Sequence, residues 1–287
     1  MAFGGENAES YYDEGLTAFM KGDVDAAARF FVRAIQLDRS MLAAHHQLGK
    51  CYVRMGQPQR AVEILGQVVV QKPGLIAARL DLGQALLAQG LADDQALQRA
   101  RKQFSHVLAI DPHNARAHLG MAQVCFQEGN WDGAVTLSQG ARAHGGASFA
   151  VLFLLGRAAK LAGNAVLSGE SLKEAQALIE KSVEMAPDAP EGHYLRGEVS
   201  FAQARFGSAL EHYRSAQDRV EGKRHYSAFG ESFTRLDILV KRGLCHQRLG
   251  DVEAAAAVGR QILSAHPQHK VGKALSDLAN GKQEGTE

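Results

Sequence analysis

Twelve histidines and three cysteines are the side chains of this 287-residue chain best suited to hold a metal or to act as nucleophile and base. Their spacing argues against both. Cys51, Cys125 and Cys245 are far apart and odd in number, with no CxxC pair, so neither a disulfide framework nor a zinc site is expected. Cys51 and Cys245 adjoin apolar helix positions and are expected to be inert core thiols. His45, His118 and His193 fall at one equivalent place in three copies of a repeating pattern. Equivalent places in stacked repeats lie about one repeat apart, too far for one metal, so packing is their expected role. His45-His46 and His266 with His269 offer adventitious ligation and no more. No HExxH, P-loop, GxSxG or GxGxxG motif occurs, and no carboxylates are paired for acid–base work. The expectation is a non-enzyme with no catalytic residue, metal or cofactor.

The elements that carry these side chains must be helical. Apolar residues make up 46% of the chain, enough for a continuous core, and there are only six prolines among many strong helix formers. Lys and Arg total 32 against 31 Asp and Glu, a formal net charge of +1. General nucleic-acid and membrane-surface binding draw on excess positive charge, so neither is expected. No 18 apolar residues run together, which argues against a membrane span. The start, Met1-Ala2-Phe3-Gly4-Gly5-Glu6, lacks the basic region and apolar run of a secretory signal. With unpaired cysteines, a cytoplasmic location is expected.

Periodicity organises the chain. A small residue recurs as Gly15, Gly49, Gly83, Ala122, Gly156, Gly197 and Gly243, with gaps of 34, 34, 39, 34, 41 and 46. A second series is Ala27, Ala61, Ala100, Ala134, Ala175, Ala209 and Ala255. The third, seven beyond the first, is Gly22, Gly56, Gly90, Gly129, Gly163 and Gly250, broken only by Ala204. Glycine costs roughly 1 kcal/mol relative to alanine inside a helix, so its fixed place there implies close approach of two helices. The third series suits a left-handed residue that ends a helix and turns the chain. Helix starts follow on cue at Asp23 and Asp251, at Pro58, and at Ser171-Leu172-Lys173-Glu174, which reads as a capping box.

This pattern resembles the tetratricopeptide repeat, W-x2-L-G-x2-Y, A-x3-F and P. Leu48-Gly49 with Tyr52, Ala61 with Leu65, and Pro73 carry the resemblance well. So do Leu82-Gly83 with Leu86, Ala100 with Phe104 and Pro112, and Leu155-Gly156, Ala175 with Ile179 and Pro187. Departures are Arg39 at the first proline place, Ala122 for glycine, and Tyr11, His45, Arg79, His118, Leu152, His193 and Leu239 at the tryptophan place. The resemblance implies an all-α, right-handed α-solenoid of tandem helix-turn-helix hairpins. Seven repeats are expected at 8–41, 42–75, 76–114, 115–148, 149–189, 190–223 and 236–269, with tails at 1–7 and 281–287.

Comparing the series places five extra residues around Leu91 to Gln95 and seven around Asn164 to Glu170, both in turns within a repeat. Twelve more form an insertion at 224–235, whose basic and aromatic residues suit either a recognition loop or a tolerated surface insertion. Residues 270–280 are expected to cap the last repeat, with Val271, Ala274, Leu275 and Leu278 inward and Lys270, Lys273, Asp277 and Asn280 outward. The first repeat has no matching cap, so its end is a candidate for self-association.

In the resembled family the first helices line the inside of the superhelix. The corresponding groove residues are Tyr12, Leu16, Phe19, His46, Lys50, Gln84, Gln123, Phe126, Phe153, Arg157, Tyr194, Glu198 and Phe201. If the aromatic residues face the groove, their rims are expected to be accessible. The clamp with which some family members hold chaperone tails does not fit, because Tyr12, Leu16, Gln47, Ala77 and Asp81 stand at its places. The expected function is a scaffold or adaptor that holds a peptide or helical segment of a protein partner. A self-assembling structural protein and a regulatory region of a larger enzyme remain the alternatives.

Overall fold

The computed structural model describes residues 7–90, 93–222, 224–229 and 231–279. Its helices are antiparallel pairs grouped in two compact units, Met1–Ala147 and Ser148–Glu287. The first unit holds α1 (Ala8–Met20), α2 (Val24–Leu37), α3 (Leu42–Arg54), α4 (Pro58–Gln71), α5 (Ile76–Gly90), α6 (Asp94–Ile110), α7 (Ala115–Gln127) and α8 (Trp131–Gly145). The second holds α9 (Phe149–Leu161), α10 (Ala165–Met185), α11 (Pro190–Ala202), α12 (Phe206–Gln217), β1 (Tyr226–Ala228), β2 (Glu231–Phe233), α13 (Arg235–Arg248), α14 (Val252–Ala265) and α15 (Lys270–Asp277). Each first helix packs on the second helix of its own hairpin, and within a unit each second helix packs on the next first helix.

Six turns inside hairpins are built by one repeated device. The third hairpin departs from it, because Gly90, expected to end its helix in a left-handed conformation, is the last residue of α5 itself. Gly22, Gly56, Gly129, Gly163 and Gly250 take φ between +66° and +82°, and Ala204 takes the same left-handed conformation at +60°. The next residue then caps the second helix in four of these turns. Asp23, Asn130, Asn164 and Asp251 accept hydrogen bonds from the amides of Ala26, Gly133, Leu167 and Ala254 at 2.9–3.2 Å.

Within hairpins, and between one hairpin and the next, glycine lets a large side chain cross the neighbouring backbone. A Cβ on Gly197 would lie 2.5 Å from the Tyr213 ring, and Phe104 sits between Gly83 and Gly120, where added Cβ atoms would lie at 2.6 and 2.4 Å. The alanine series fills the remaining space, and Ala27, Ala61, Ala100, Ala134, Ala175, Ala209 and Ala255 are all fully buried.

The seven extra residues of the fifth repeat are not in its turn. α10 starts in the ordinary register, capped by Asn164, and runs for 21 residues. Buried Ser168 occupies the usual alanine place, and Leu172 meets Gly156 as Phe31 meets Gly15. Ala175 lies one heptad further on. Seven residues are nearly two helical turns, so both registers share a face. Ser171 is therefore a buried mid-helix residue and not a cap. In the third repeat the extra residues partly lengthen α6, which starts at Asp94 under an Asp93 cap; Leu91 and Ala92 lie outside the described residues.

The insertion at 224–235 folds into a two-stranded antiparallel hairpin that pairs Tyr226 with Phe233, Ser227 with Ser232 and Ala228 with Glu231. Thr234 and Asp237 then form a true capping box on α13. At the end of the chain, Leu275 and Gly272 are buried and Val271 and Leu278 half-buried, whereas Ala274 points to solvent, against expectation. Gly259 explains how closely α15 docks: a Cβ there would lie 2.4 Å from the Ser276 amide nitrogen and 2.7 Å from the Gly272 carbonyl. Asn280 and the expected tail at 281–287 lie outside the described residues. Among the described residues no helix is long and apolar enough to cross a membrane.

Candidate partner-binding surface

The histidines at the tryptophan place hold loops. His118 Nε2 donates to the Pro112 carbonyl at 2.9 Å and His193 Nε2 to that of Pro187 at 2.8 Å, each six residues back. Arg79 Nε makes the same bond to the Pro73 carbonyl at 2.8 Å. In the first connection, which lacks the proline, His45 Nδ1 donates instead to the Met41 carbonyl at 3.0 Å. His269 caps α15, its Nδ1 accepting from the Gly272 amide at 3.1 Å. His113 and His144 approach at 3.4 Å, yet among the described residues no three His, Cys, Asp or Glu side chains converge as a metal requires. All three cysteines are buried and free; burial pushes the Cys51 and Cys245 thiols up to about 12 and also raises Cys125, so none is a ready thiolate.

In the first unit, every expected groove residue is half-buried, with part of its side chain in reach of solvent. These are Tyr12, Leu16, Phe19, His46, Lys50, Gln84, Gln123 and Phe126. Phe19 at the end of α1 carries cations from α3 on its ring: Lys50 Nζ is 5.0 Å from the centroid and Arg54 Cζ 4.0 Å. Tyr12 leans on Phe31 at 5.8 Å and Phe126 edges onto Trp131 at 5.1 Å, so both rings are fixed by their own hairpins.

Side chains also link successive first helices. Asp81 on α5 accepts from His46 on α3 at 2.8 Å and from Arg116 on α7 at 2.7 Å, and Gln84 donates to Gln123 at 3.0 Å. Burial alone would raise the Asp81 carboxyl. The hydrogen bonds from His46 and Arg116, with their charges, outweigh it and hold the group below the usual carboxylate value. This ladder fixes the spacing at which first-unit side chains are presented.

The second unit differs from expectation. Phe153, Tyr194 and Glu198 are only 1%, 5% and 7% exposed, while Arg157 and Phe201 are half-buried. The accessible aromatic rims expected at Phe153 and Tyr194 are absent: the β-hairpin lies over Tyr194, while Phe153 stacks on Phe149 and lies under Arg157. Phe233 stacks on Tyr194 at 3.9 Å and 11°, Tyr226 stacks on Phe233 at 5.4 Å, and Phe229 reaches Phe149 at 5.8 Å. Glu198 accepts from Tyr213 Oη at 2.6 Å and from Lys241 Nζ at 2.7 Å.

Asp81, Lys241, Phe149 and the hairpin residues were not among the groove candidates. The usable signal for the hairpin was two short alternating runs, Tyr226-Ser227-Ala228 and Glu231-Ser232-Phe233, around Phe229-Gly230. Asp81 and Lys241 lie one position beside the sampled helix stripes, where a long side chain still reaches the neighbouring helix.

Family models described as tetratricopeptide repeat match residues 18–76 and 91–147, 160–223, and 237–269. The chain belongs to the tetratricopeptide repeat (TPR) family. It is 33% identical over 138 residues to the human FK506-binding protein-like, covering 45% of this chain and 37% of that protein. A 28% identity to the Drosophila melanogaster protein O-mannosyl-transferase Tmtc3 covers 42% of this chain but only 12% of that protein. This TPR chain thus spans well under half the length of these curated relatives. Among solved structures, a TPR protein from Parabacteroides merdae aligns over 96% of this chain and 99% of its own, at 16% identity and TM-score 0.58. The APC/C hetero-tetramer Cut9-Hcn1 aligns over 94% of this chain and 49% of its own, at 18% identity and TM-score 0.64. At these identities the structural likeness concerns the all-α repeat fold. TPR repeats generally mediate protein–protein interaction, and the fold is typically non-catalytic.

Proposed function

We propose that this TPR chain is a protein-binding scaffold without catalytic activity of its own, and that its first-unit surface receives a peptide or helical segment of a partner. The observation that carries the reading is the cluster of Phe19, Lys50, Arg54, Leu16 and Tyr12 on adjoining first helices. Its aromatic and cationic groups are partly accessible and held by neighbours, with Tyr12, Leu16 and Phe19 packed at the edge of the hydrophobic core. Anchors of this type dominate binding energy, and fixed anchors lose little entropy on association. The reading extends along α5 and α7 through Gln84, Gln123 and Phe126, with His46 and Asp81 setting the spacing. Free, buried cysteines support a cytoplasmic setting, and the near-neutral net charge supports a protein rather than a nucleic-acid partner.

Site-specific photocrosslinking tests the proposal. A photoreactive phenylalanine analogue at Leu16 should crosslink a protein partner in cells, while the same group at Glu63, exposed on α4, should not. Equal crosslinking at both positions, or none at Leu16, contradicts it.

A further inference from the structure

The second helices of the first unit border a cavity of about 400 Å³, which opens between α2 and the start of α4 at the end of α3. Cavities of this size accept a ligand or an anchoring side chain. Ala28 and Tyr52 are buried in its lining and Val32 and Met55 half-buried, so part of it is apolar. Its charged lining is Arg29 and Arg33 from α2, Arg60 from α4, and one carboxylate, Asp25. A chain whose net charge is only +1 thus gathers three cations against one anion here.

Among the described residues, none of these three guanidinium groups forms an ion pair. Arg33 donates to the Gln36 side-chain oxygen at 3.3 Å. Arg60 donates to that of Gln57 at 2.8 Å and lies 4.6 Å over the Tyr52 ring. Neutral amides and an aromatic face orient a guanidinium without cancelling its charge. Arg29 and Arg33 also stand four residues apart on one helix, where like charges disfavour the helix. The three cations are therefore exposed and uncompensated, and each has five N–H donors to offer.

Charge complementarity selects the occupant. The arginine fork matches a carboxylate through two parallel hydrogen bonds, and the apolar lining suits an aliphatic or aromatic side chain. A nucleic acid fits less well, because its affinity grows with many phosphate contacts and only three cations stand here, beside Asp25. One turn beyond Arg60 on α4, Glu63 lines the adjoining cavity, where it ends the cationic stretch and repels an acidic chain.

We propose that this α2–α4 cavity is a docking site for an acidic protein segment. Carboxylates of the segment pair with Arg29, Arg33 and Arg60, and an apolar side chain seats against Tyr52, Val32 and Met55. The site goes beyond the first-helix reading, since Tyr12, Leu16, Phe19, Lys50 and Arg54 take no part in its lining.

Fluorescence anisotropy on the full chain tests it, with a short labelled peptide of Glu and Gly around one central Phe as probe. The Arg33→Glu, Arg60→Glu variant should bind the peptide at least tenfold more weakly than the unsubstituted chain. Lys173→Glu, Lys181→Glu, an equal change of net charge at exposed places on α10, should leave binding unchanged. Replacing the Phe of the peptide by Gly should weaken binding to the unsubstituted chain. Failure of the unsubstituted chain to bind, equal losses in both charge variants, or indifference to the Phe replacement overturns the proposal. So does tighter binding of a single-stranded DNA of the same charge.

Should Arg60→Glu disturb the packing of Tyr52, the Arg29→Gln, Arg33→Gln variant decides by the same tenfold loss. Retained binding by that folded variant overturns the proposal. The Phe19→Ala, Lys50→Glu variant should bind the peptide as the unsubstituted chain does. Loss there, with binding intact in Arg33→Glu, Arg60→Glu, assigns the peptide to the first-helix surface and removes this inference. Absence of crosslinking at Leu16 alone removes the first-helix reading and leaves this one standing.

Discussion

Asp81 and Glu231 are two carboxylates whose surroundings act in opposite directions. For Asp81 the folded pKa is lowered, so its contribution is fully present above the unfolded carboxylate value of about 3.9 and is lost as pH falls through the lower folded value. Asp81→Asn should therefore cost about 1 kcal/mol near neutrality, and the gap to the unsubstituted chain should close in acid. For Glu231, burial raises the folded pKa above the unfolded value despite Arg157 and Lys241, with Glu198 adding to the rise. Its contribution is fully present below the unfolded value of about 4.3 and is lost as pH rises through the folded one. Glu231→Gln should match the unsubstituted chain in acid and exceed it in stability above that pKa. Thermal melts of both variants against pH check the two signs. A third residue, Ser171, is fully buried in α10, and its hydroxyl has no hydrogen-bond partner among the described residues. Ser171→Ala should raise stability by about 1 kcal/mol in denaturant melts, since it removes an unsatisfied polar group and improves helix propensity.

Individual helices and their pairing were legible in the sequence because close packing restricts residue type at fixed intervals. A glycine such as Gly15 or Gly83 must face an aromatic ring, and Ala27 or Ala100 must fill what space remains. Where the packing tolerates a different residue, legibility stops. Ser168 does the work of alanine in α10, so the series jumped one heptad to Ala175 and the extra turns were assigned to a loop. The hairpin was missed for a related reason: three-residue strands carry too little alternation to stand out, and their order derives from Tyr194 and Phe149 far away in the chain. For the same reason Tyr194 read as a groove anchor when a later segment covers it. α15 offers a test at this scale. Gly259→Ala would place a methyl against the backbone of α15, which cannot rotate away, so the last helix should undock at a cost of roughly 1–3 kcal/mol. Faster exchange confined to α14 and α15 is the expected signature.

Each of the two units has buried clusters of its own, and repeat proteins draw stability from nearest-neighbour stacking. A larger side chain in one unit should therefore be felt mainly there. Ala100→Leu, between α5 and α6, should cost roughly 1–3 kcal/mol by overpacking and accelerate exchange in α5 to α7 more than in α9 to α14. The family and its all-α repeat architecture follow from the periodic residues, whereas the choice of partner depends on the few side chains between them that vary from repeat to repeat. The account places the accessible binding anchors in the first unit, so the most direct measurement compares partner capture by the full chain with that by a Phe19→Ala, Lys50→Glu variant. Both side chains are half-exposed, so the melting temperature should stay nearly unchanged while capture of the crosslinked partner falls at least tenfold. Undiminished capture by the folded variant would contradict the account.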